Sequence, residues 1–274
     1  MRVWLAVGII AGVLTGGAIA QDAALRSLQT GVDASPWEAV GRLDIGGAGF
    51  CTGALIEPNL VLTAAHCLYD KSSGELINYT KVEFLAGWRN GRASAYRAVR
   101  RAVVHPSYTY GEEVSSERVR NDVALLELSR PIRNTTIEPF ETAPHPTRGD
   151  RVGVVSYARH RSEAPSLQEV CEVLGLKEGV LVTSCSVDFG SSGAPIFTFS
   201  EGAAHIVSVV SAKAEMSGQS VSLGTELSGA LTDLRAELDN GGGVFQSSVP
   251  TAARVVVGQE RRDTGAKFVR PREN

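Results

Sequence analysis

A basic excess is missing from this chain. Its 274 residues carry 27 Lys and Arg against 30 Asp and Glu, a formal net charge of −3. A phosphate backbone is held by concentrated positive charge, so no nucleic-acid partner is expected. No C-x-x-C occurs and no Cys/His cluster has zinc-ligand spacing, so no metal or organic cofactor is implied. Past residue 20 no apolar run is long enough to span a bilayer. Long helical periodicity is absent until Ser228. What the chain does have is 43% hydrophobic residues, enough to fill a sizeable core. That sets aside a disordered tail protein and a small disulfide-stapled knot. Glycine is plentiful, at 29 residues, which suggests many tight turns between short strands.

Residues 1–20 read as a signal peptide. Arg2 supplies a positive charge, Val3 to Ala20 is uncharged, and Ala18-Ile19-Ala20 has the small-x-small ending of a cleavage site. An uncleaved anchor is the competing reading, since about 18 apolar residues can just cross a bilayer. The Gly and Ala content of Ala6–Gly17 favours cleavage. The mature chain is then expected to be secreted or periplasmic, with no stable membrane insertion after signal removal. Residues 21–34 form an N-terminal segment that could include a removed pro-segment. Cys51, Cys67, Cys171 and Cys185 fit export as two disulfides. Of the three pairings open to four cysteines, 51–67 and 171–185 need the least chain reorganisation.

From about Trp37 the chain reads as short runs rich in Val, Leu and Ile, bounded by Gly, Asn, Pro or Ser. Strands are expected at 39–45, 51–56, 60–63, 82–86, 96–105 and 123–128. A second series is expected at 151–158, 180–186, 194–199, 206–210 and 221–223. Leu231, Leu234 and Leu238 share one helical face. The pattern is all-β, two barrels or sandwiches followed by one helix. The halves divide at 35–135 and 136–240, and 241–274 reads as a flexible or trimmed tail.

Three blocks carry chemistry. Thr63-Ala64-Ala65-His66-Cys67 follows Cys51-Thr52-Gly53-Ala54-Leu55-Ile56; Asn121-Asp122-Val123-Ala124-Leu125-Leu126 comes next; Gly190-Ser191-Ser192-Gly193-Ala194-Pro195 comes last. Alone, each has a bland reading as a core histidine, a turn aspartate or a turn. In the order His, Asp, Ser they supply a base, its orienter and a nucleophile. A serine hydroxyl attacks poorly until an imidazole takes its proton, and a buried carboxylate fixes the imidazole's tautomer.

These blocks resemble the trypsin/chymotrypsin-like serine peptidases, in a bacterial-type exported form. The histidine block is that family's motif unaltered, Cys51 stands where its bridging partner should, and Val104-His105-Pro106-Ser107-Tyr108 looks like another family segment. The resemblance covers about residues 35–235. It implies two perpendicular antiparallel six-stranded barrels with the active site in the cleft between them and a C-terminal helix. It implies an exported serine endopeptidase acting on protein or peptide substrates. His66 would be the general base, Asp122 its orienter and Ser192 the nucleophile, with the amides of Gly190 and Ser192 as oxyanion hole. Ile206-Val207-Ser208-Val209-Val210-Ser211 resembles the cleft-lining strand, in a preferred register that gives Ser211 a bond to the buried aspartate; a shorter register, Ile206-Val207-Ser208, would give that bond to Ser208.

The departures are informative. Ser191 and Ala194 replace the Asp and second Gly of the usual Gly-Asp-Ser-Gly-Gly-Pro, and Leu28-Gln29-Thr30-Gly31 stands where relatives have Ile-Val-Gly-Gly. Both halves of the N-terminal activation switch are absent together. A non-catalytic binding protein on the same scaffold is therefore the alternative reading. The resemblance puts Ser186 at the floor of the substrate pocket and Lys213 on its wall, so basic side chains are disfavoured and acidic ones could be accepted. Asp188 pulls the other way. His205 reads as a surface histidine. Asp70, Glu75 and Glu83 could contribute to a calcium site but read more simply as solvated carboxylates. Oligomeric state is not legible here.

Overall fold

A computed structural model describes residues 24–111 and 113–243. The signal-peptide stretch and all but three residues of the 241–274 tail lie outside them. The chain enters through β1 (Arg26–Ser27) and a single helical turn, α1 (Gly31–Ala34), whose Thr30 cap accepts from the Asp33 N–H. Next come β2 (Val40–Ile45), β3 (Phe50–Glu57), β4 (Leu60–Thr63), β5 (Val82–Ala86) and β6 (Ala95–Val104). A short helix, α2 (Ser116–Arg120), precedes β7 (Ala124–Leu128). These six strands close a barrel in the order β2-β3-β4-β7-β6-β5.

The second half holds β8 (Arg151–Ala158), β9 (Arg161–Lys177), β10 (Val180–Thr183), β11 (Pro195–Ser200), β12 (Ala203–Met216) and β13 (Gln219–Glu226). They run in the order β9-β10-β13-β12-β11-β8, a β8–β9 pairing closes the ring, and β1 is added alongside β9. The chain then forms α3 (Ser228–Asp239), which buries Ala230, Leu231, Leu234 and Leu238. The all-β architecture with two closed strand rings and a C-terminal helix is the one the sequence implied.

Each ring has its own core. Leu43, Leu55, Val61, Phe84 and Leu126 fill the first, and Val154, Val173, Leu181 and Ile196 the second. A third cluster joins the halves: Leu28, Trp37, Ile56, Leu62, Tyr157 and Phe197 pack together with the α3 leucines. The Phe197 ring lies 5.2 Å from Trp37 and 4.8 Å from Phe140, centroid to centroid. Burying each such side chain contributes about 1.5–3 kcal/mol. This shared core holds the two rings at a fixed cleft.

The sequence left two strands unread, the two-residue β1 and the long β9. β9 is 17 residues long, yet it contains Pro165 and several charges and shows no clean alternation. It forms because its backbone is paired along its length, by β8, β10 and β1. β12 is also longer than expected, and β10 ends at Thr183 instead of reaching Ser186. Both disulfides are the local ones, Cys51–Cys67 and Cys171–Cys185.

Candidate active site

His66 sits on a short 3₁₀ turn, Ala65–Leu68, directly after β4. The Cys51–Cys67 bridge ties that turn back to β3. Its backbone N–H donates to Asp122 Oδ1 at 2.8 Å, and its ring Nδ1 lies 2.7 Å from Asp122 Oδ2. A carboxylate only accepts, so the Nδ1 proton is on the histidine and Nε2 is left as a lone-pair acceptor.

Asp122 follows α2 and is completely buried. A buried charge is costly unless its oxygens are bonded, and here they are. Besides His66, Ser211 donates from Oγ to Oδ2 at 2.5 Å. Ser208 does not reach it; its Oγ donates to the Thr225 carbonyl at 2.8 Å. Thr225 in turn donates from Oγ1 to the carbonyls of Val119 and Asp122, at 2.6 and 3.2 Å. The first barrel's aspartate is thus held by β12 and β13 of the second ring. Thr225 carried no sequence signal, because its role depends on that inter-ring contact.

Ser192 lies in a tight turn whose neighbours leave no room for side chains. Gly190 has φ +97°, and a Cβ there would lie 2.4 Å from the Phe50 ring. Gly193 has φ +75°, and a Cβ there would lie 2.1 Å from Thr63 Oγ1 and 2.4 Å from the Thr52 carbonyl. Only glycine fits either position. The turn is stitched to the first barrel: the Thr52 N–H donates to the Ser192 carbonyl at 2.9 Å, and Thr52 Oγ1 to the Gly190 carbonyl at 2.8 Å. Among the described residues, the N–H groups of Gly190 and Ser192 donate to no protein acceptor.

Ser191 is fully buried. Its hydroxyl lies 3.2 Å from Ser156 Oγ and 3.3 Å from the Tyr157 carbonyl, and accepts from the Asp188 N–H at 3.3 Å. Arg161 Nη1 donates to the Ser156 carbonyl and Oγ at 3.0 and 3.2 Å. Burial pulls the Arg161 pKa below its ordinary value, and the charge of Asp188 partly restores it. Asp188 therefore acts on a cation behind the site as well as on the cleft.

His66 and Ser192 share the walls of two cavities. One, of about 430 Å³, runs along Val210, Ser211, Ala212 and Lys213, with Val187 and Asp188 opposite. The other, of about 440 Å³, lies toward Cys51, Phe50 and Gly190. Lys213 is exposed at the first of them. Ser186 lines neither; it is exposed, and its N–H donates to Gln168 Oε1 at 2.6 Å. His205 is apart from both, 3.7 Å from Glu141.

Asp70, Glu75 and Glu83 do not gather into a ligand set among the described residues. The Asp70 carboxylate instead accepts from Ser72 and Ser73, whose hydrogen bonds hold its pKa down to about 2. Cys51, His66 and Cys67 do crowd together, but both sulfurs are spent on their disulfide.

The chain is similar to known proteins. A family model described as Trypsin matches residues 29–226, more than half of the chain. The chain is 27% identical over 173 residues to the glutamyl endopeptidase of Bacillus licheniformis, covering 63% of this chain and 52% of that protein. It is 33% identical over 116 residues to CLIP domain-containing serine protease HP8 of Bombyx mori, covering 38% of this chain and 30% of that protein. It thus spans about half the length of the first and under a third of the second. Its fold matches a solved Glu endopeptidase in complex with MPD at a TM-score of 0.64 and 17% identity, over 82% of this chain and 100% of that one.

Proposed function

This chain belongs to the trypsin family of serine peptidases, and from that membership we propose that it is an exported endopeptidase with His66, Asp122 and Ser192 as its catalytic triad. The observation that carries the reading is the buried Asp122 bonded to His66 Nδ1, with His66 and Ser192 facing one cleft. In this reading Nε2 of His66 takes the Ser192 hydroxyl proton as Oγ attacks the peptide carbonyl. The N–H groups of Gly190 and Ser192 receive the oxyanion. His66 returns the proton to the departing amine, leaving an acyl group on Ser192. Water, deprotonated by His66, then hydrolyses that ester.

The cavity along Ser211–Lys213 takes the side chain before the cleaved bond. Lys213 at its wall favours an acidic residue, as the name of the Bacillus relative suggests for that enzyme. Export rests on the leader-like residues 1–20 and on two disulfides, which persist in oxidising compartments. No helix among the described residues is long and apolar enough to cross a membrane. The proposed organisation is a removed leader, an N-terminal segment at 21–34 and catalytic halves at 35–135 and 136–240.

The test is the intact mass of the mature, oxidised protein after exposure to a fluorophosphonate, beside Ser192→Ala. One adduct on the wild type and none on the variant is the expected result. No adduct on folded wild type, before or after limited proteolysis, points to a binding protein on a peptidase scaffold.

A further inference from the structure

Two cavities adjoin the His66–Ser192 pair, and only one has been given an occupant. If the chain before the cleaved bond lies along Val210–Lys213, the chain after it must leave past Gly190 and the Cys51–Cys67 bridge. That path is the 440 Å³ cavity. Its walls are Ile45, Phe50 and Tyr69 from the first barrel, and Arg159 and Phe189 from the second ring. Asp70 and Lys71, from one loop, complete it, and Lys71 and Phe189 also line the other cavity.

Phe189 is 62% exposed and lines this cavity. Two cations attend it. Arg159 Cζ lies 4.7 Å and Lys71 Nζ 5.8 Å from the ring centroid, within reach of its negative π face. One cation comes from each half of the molecule, so they converge only across the closed cleft. The Arg159 N–H also donates to the Phe189 carbonyl at 2.8 Å, which fixes the second-ring side.

Neither cation has a carboxylate within 4.0 Å among the described residues. Asp70 is the acid beside Lys71, and its Oδ1 is occupied by the N–H and hydroxyl groups of Ser72 and Ser73. The cavity thus offers an apolar lining for an aliphatic stem and two cations for its head, against one carboxylate, Asp70, whose Oδ1 is already bonded to Ser72 and Ser73.

We propose that this cavity binds the leaving-group side of the substrate, and that Lys71 and Arg159 select Asp or Glu within the first three residues after the cleaved bond. The proposal rests on the peptidase reading of Ser192 and names a specificity that reading does not contain. It needs no new chemistry, only differential binding of one substrate class.

The experiment digests a proteome-derived peptide library with the mature protein and identifies both sides of every cut by mass spectrometry. Wild type is expected to enrich Asp and Glu after the cut about fivefold over Lys and Arg, the scale of exposed ion pairs. The double variant Lys71→Gln, Arg159→Gln is expected to lose that enrichment. The single variant Arg159→Gln, at a residue that lines the leaving-side cavity and not the other, is expected to weaken the enrichment while the preference before the cut persists. The reversal Lys71→Glu, Arg159→Glu should turn the leaving-side preference toward Lys and Arg, a gain that misfolding cannot mimic. Wild type that takes fluorophosphonate and cleaves with no leaving-side acidic preference overturns this proposal and leaves the peptidase reading standing. Wild type that takes no fluorophosphonate and cleaves nothing overturns both.

Discussion

Ser211, on β12 of the second ring, donates its hydroxyl proton to Asp122, which follows α2 in the first half of the chain. The acceptor is Oδ2, the oxygen that also meets His66 Nδ1 at 2.7 Å. The bond is buried and joins the two halves of the molecule. It therefore ties the orientation of the histidine to the relative placement of the two rings.

Ser211→Ala removes a donor from a fully buried carboxylate without adding bulk. Hydrogen bonds to charged groups contribute about 1.5–3 kcal/mol. The expected result is a drop in kcat of about tenfold, with KM nearly unchanged, because Ser211 acts through Asp122. Steady-state kinetics on a chromogenic peptide check it. Unchanged kcat would remove Ser211 from the positioning network.

A second expectation concerns the N-terminus. Ser191 stands where digestive relatives carry an activating aspartate, and its hydroxyl is already surrounded by Ser156, Tyr157 and Asp188. The chain at Arg26–Ser27 is paired to β9, and Leu28 is buried in the core between the rings. On the proposed reading, these contacts take the place of a free amine in shaping the turn before Ser192. Adding three residues to the mature N-terminus should therefore change turnover by less than about twofold, or under half a kcal/mol in barrier. A tenfold loss would show that a free terminus is required.

The third expectation is a pH dependence of stability centred on His105. Its ring is almost wholly buried, with Nδ1 accepting from the Ser107 N–H and Nε2 3.5 Å from Asp233 on α3. Burial pulls its pKa below the ordinary 6.5, and Asp233 offsets only part of that. The folded state therefore holds the proton more weakly than the unfolded chain. The stability contribution is complete above the ordinary imidazole value, and it is lost as pH falls below it. Tm measured from pH 7.5 to 5 should fall. Asp233→Asn should steepen the fall by removing the group that supports the proton, and His105→Gln should flatten it. A shallower fall in Asp233→Asn than in wild type would be the wrong sign.

Much of the site was legible because it lies in contiguous blocks. His66, Asp122 and Ser192 each sit in a short run whose residue types answer a local need: a turn closed by Cys67, a residue next to a buried strand, glycines where φ is positive. Short strands were legible where apolar residues were bounded by turn formers. β9 was not, since a Pro-containing, charged segment becomes a strand only when neighbours supply its pairs. The walls of the cleft were read less well. Ser186 has the sequence position of a pocket floor yet lines neither cavity, and Lys71, Arg159 and Phe189 look like ordinary loop residues in one dimension.

What the sequence by itself determined is the chemistry available and the local geometry that carries it: apolar periodicity and turn glycines act over a few residues, and the cysteine pairs over 16 and 14. What only the tertiary structure decided is which distant groups share a solvent-poor space. Ser211 rather than Ser208 meets Asp122 because of the pairing of β12 with its neighbours, where the register shifts between Val210 and Ala212. Lys71 and Arg159 meet over Phe189 because a shared core fixes the distance between two rings. Contacts of that kind depend on the closure of the whole chain, and no local pattern encodes them.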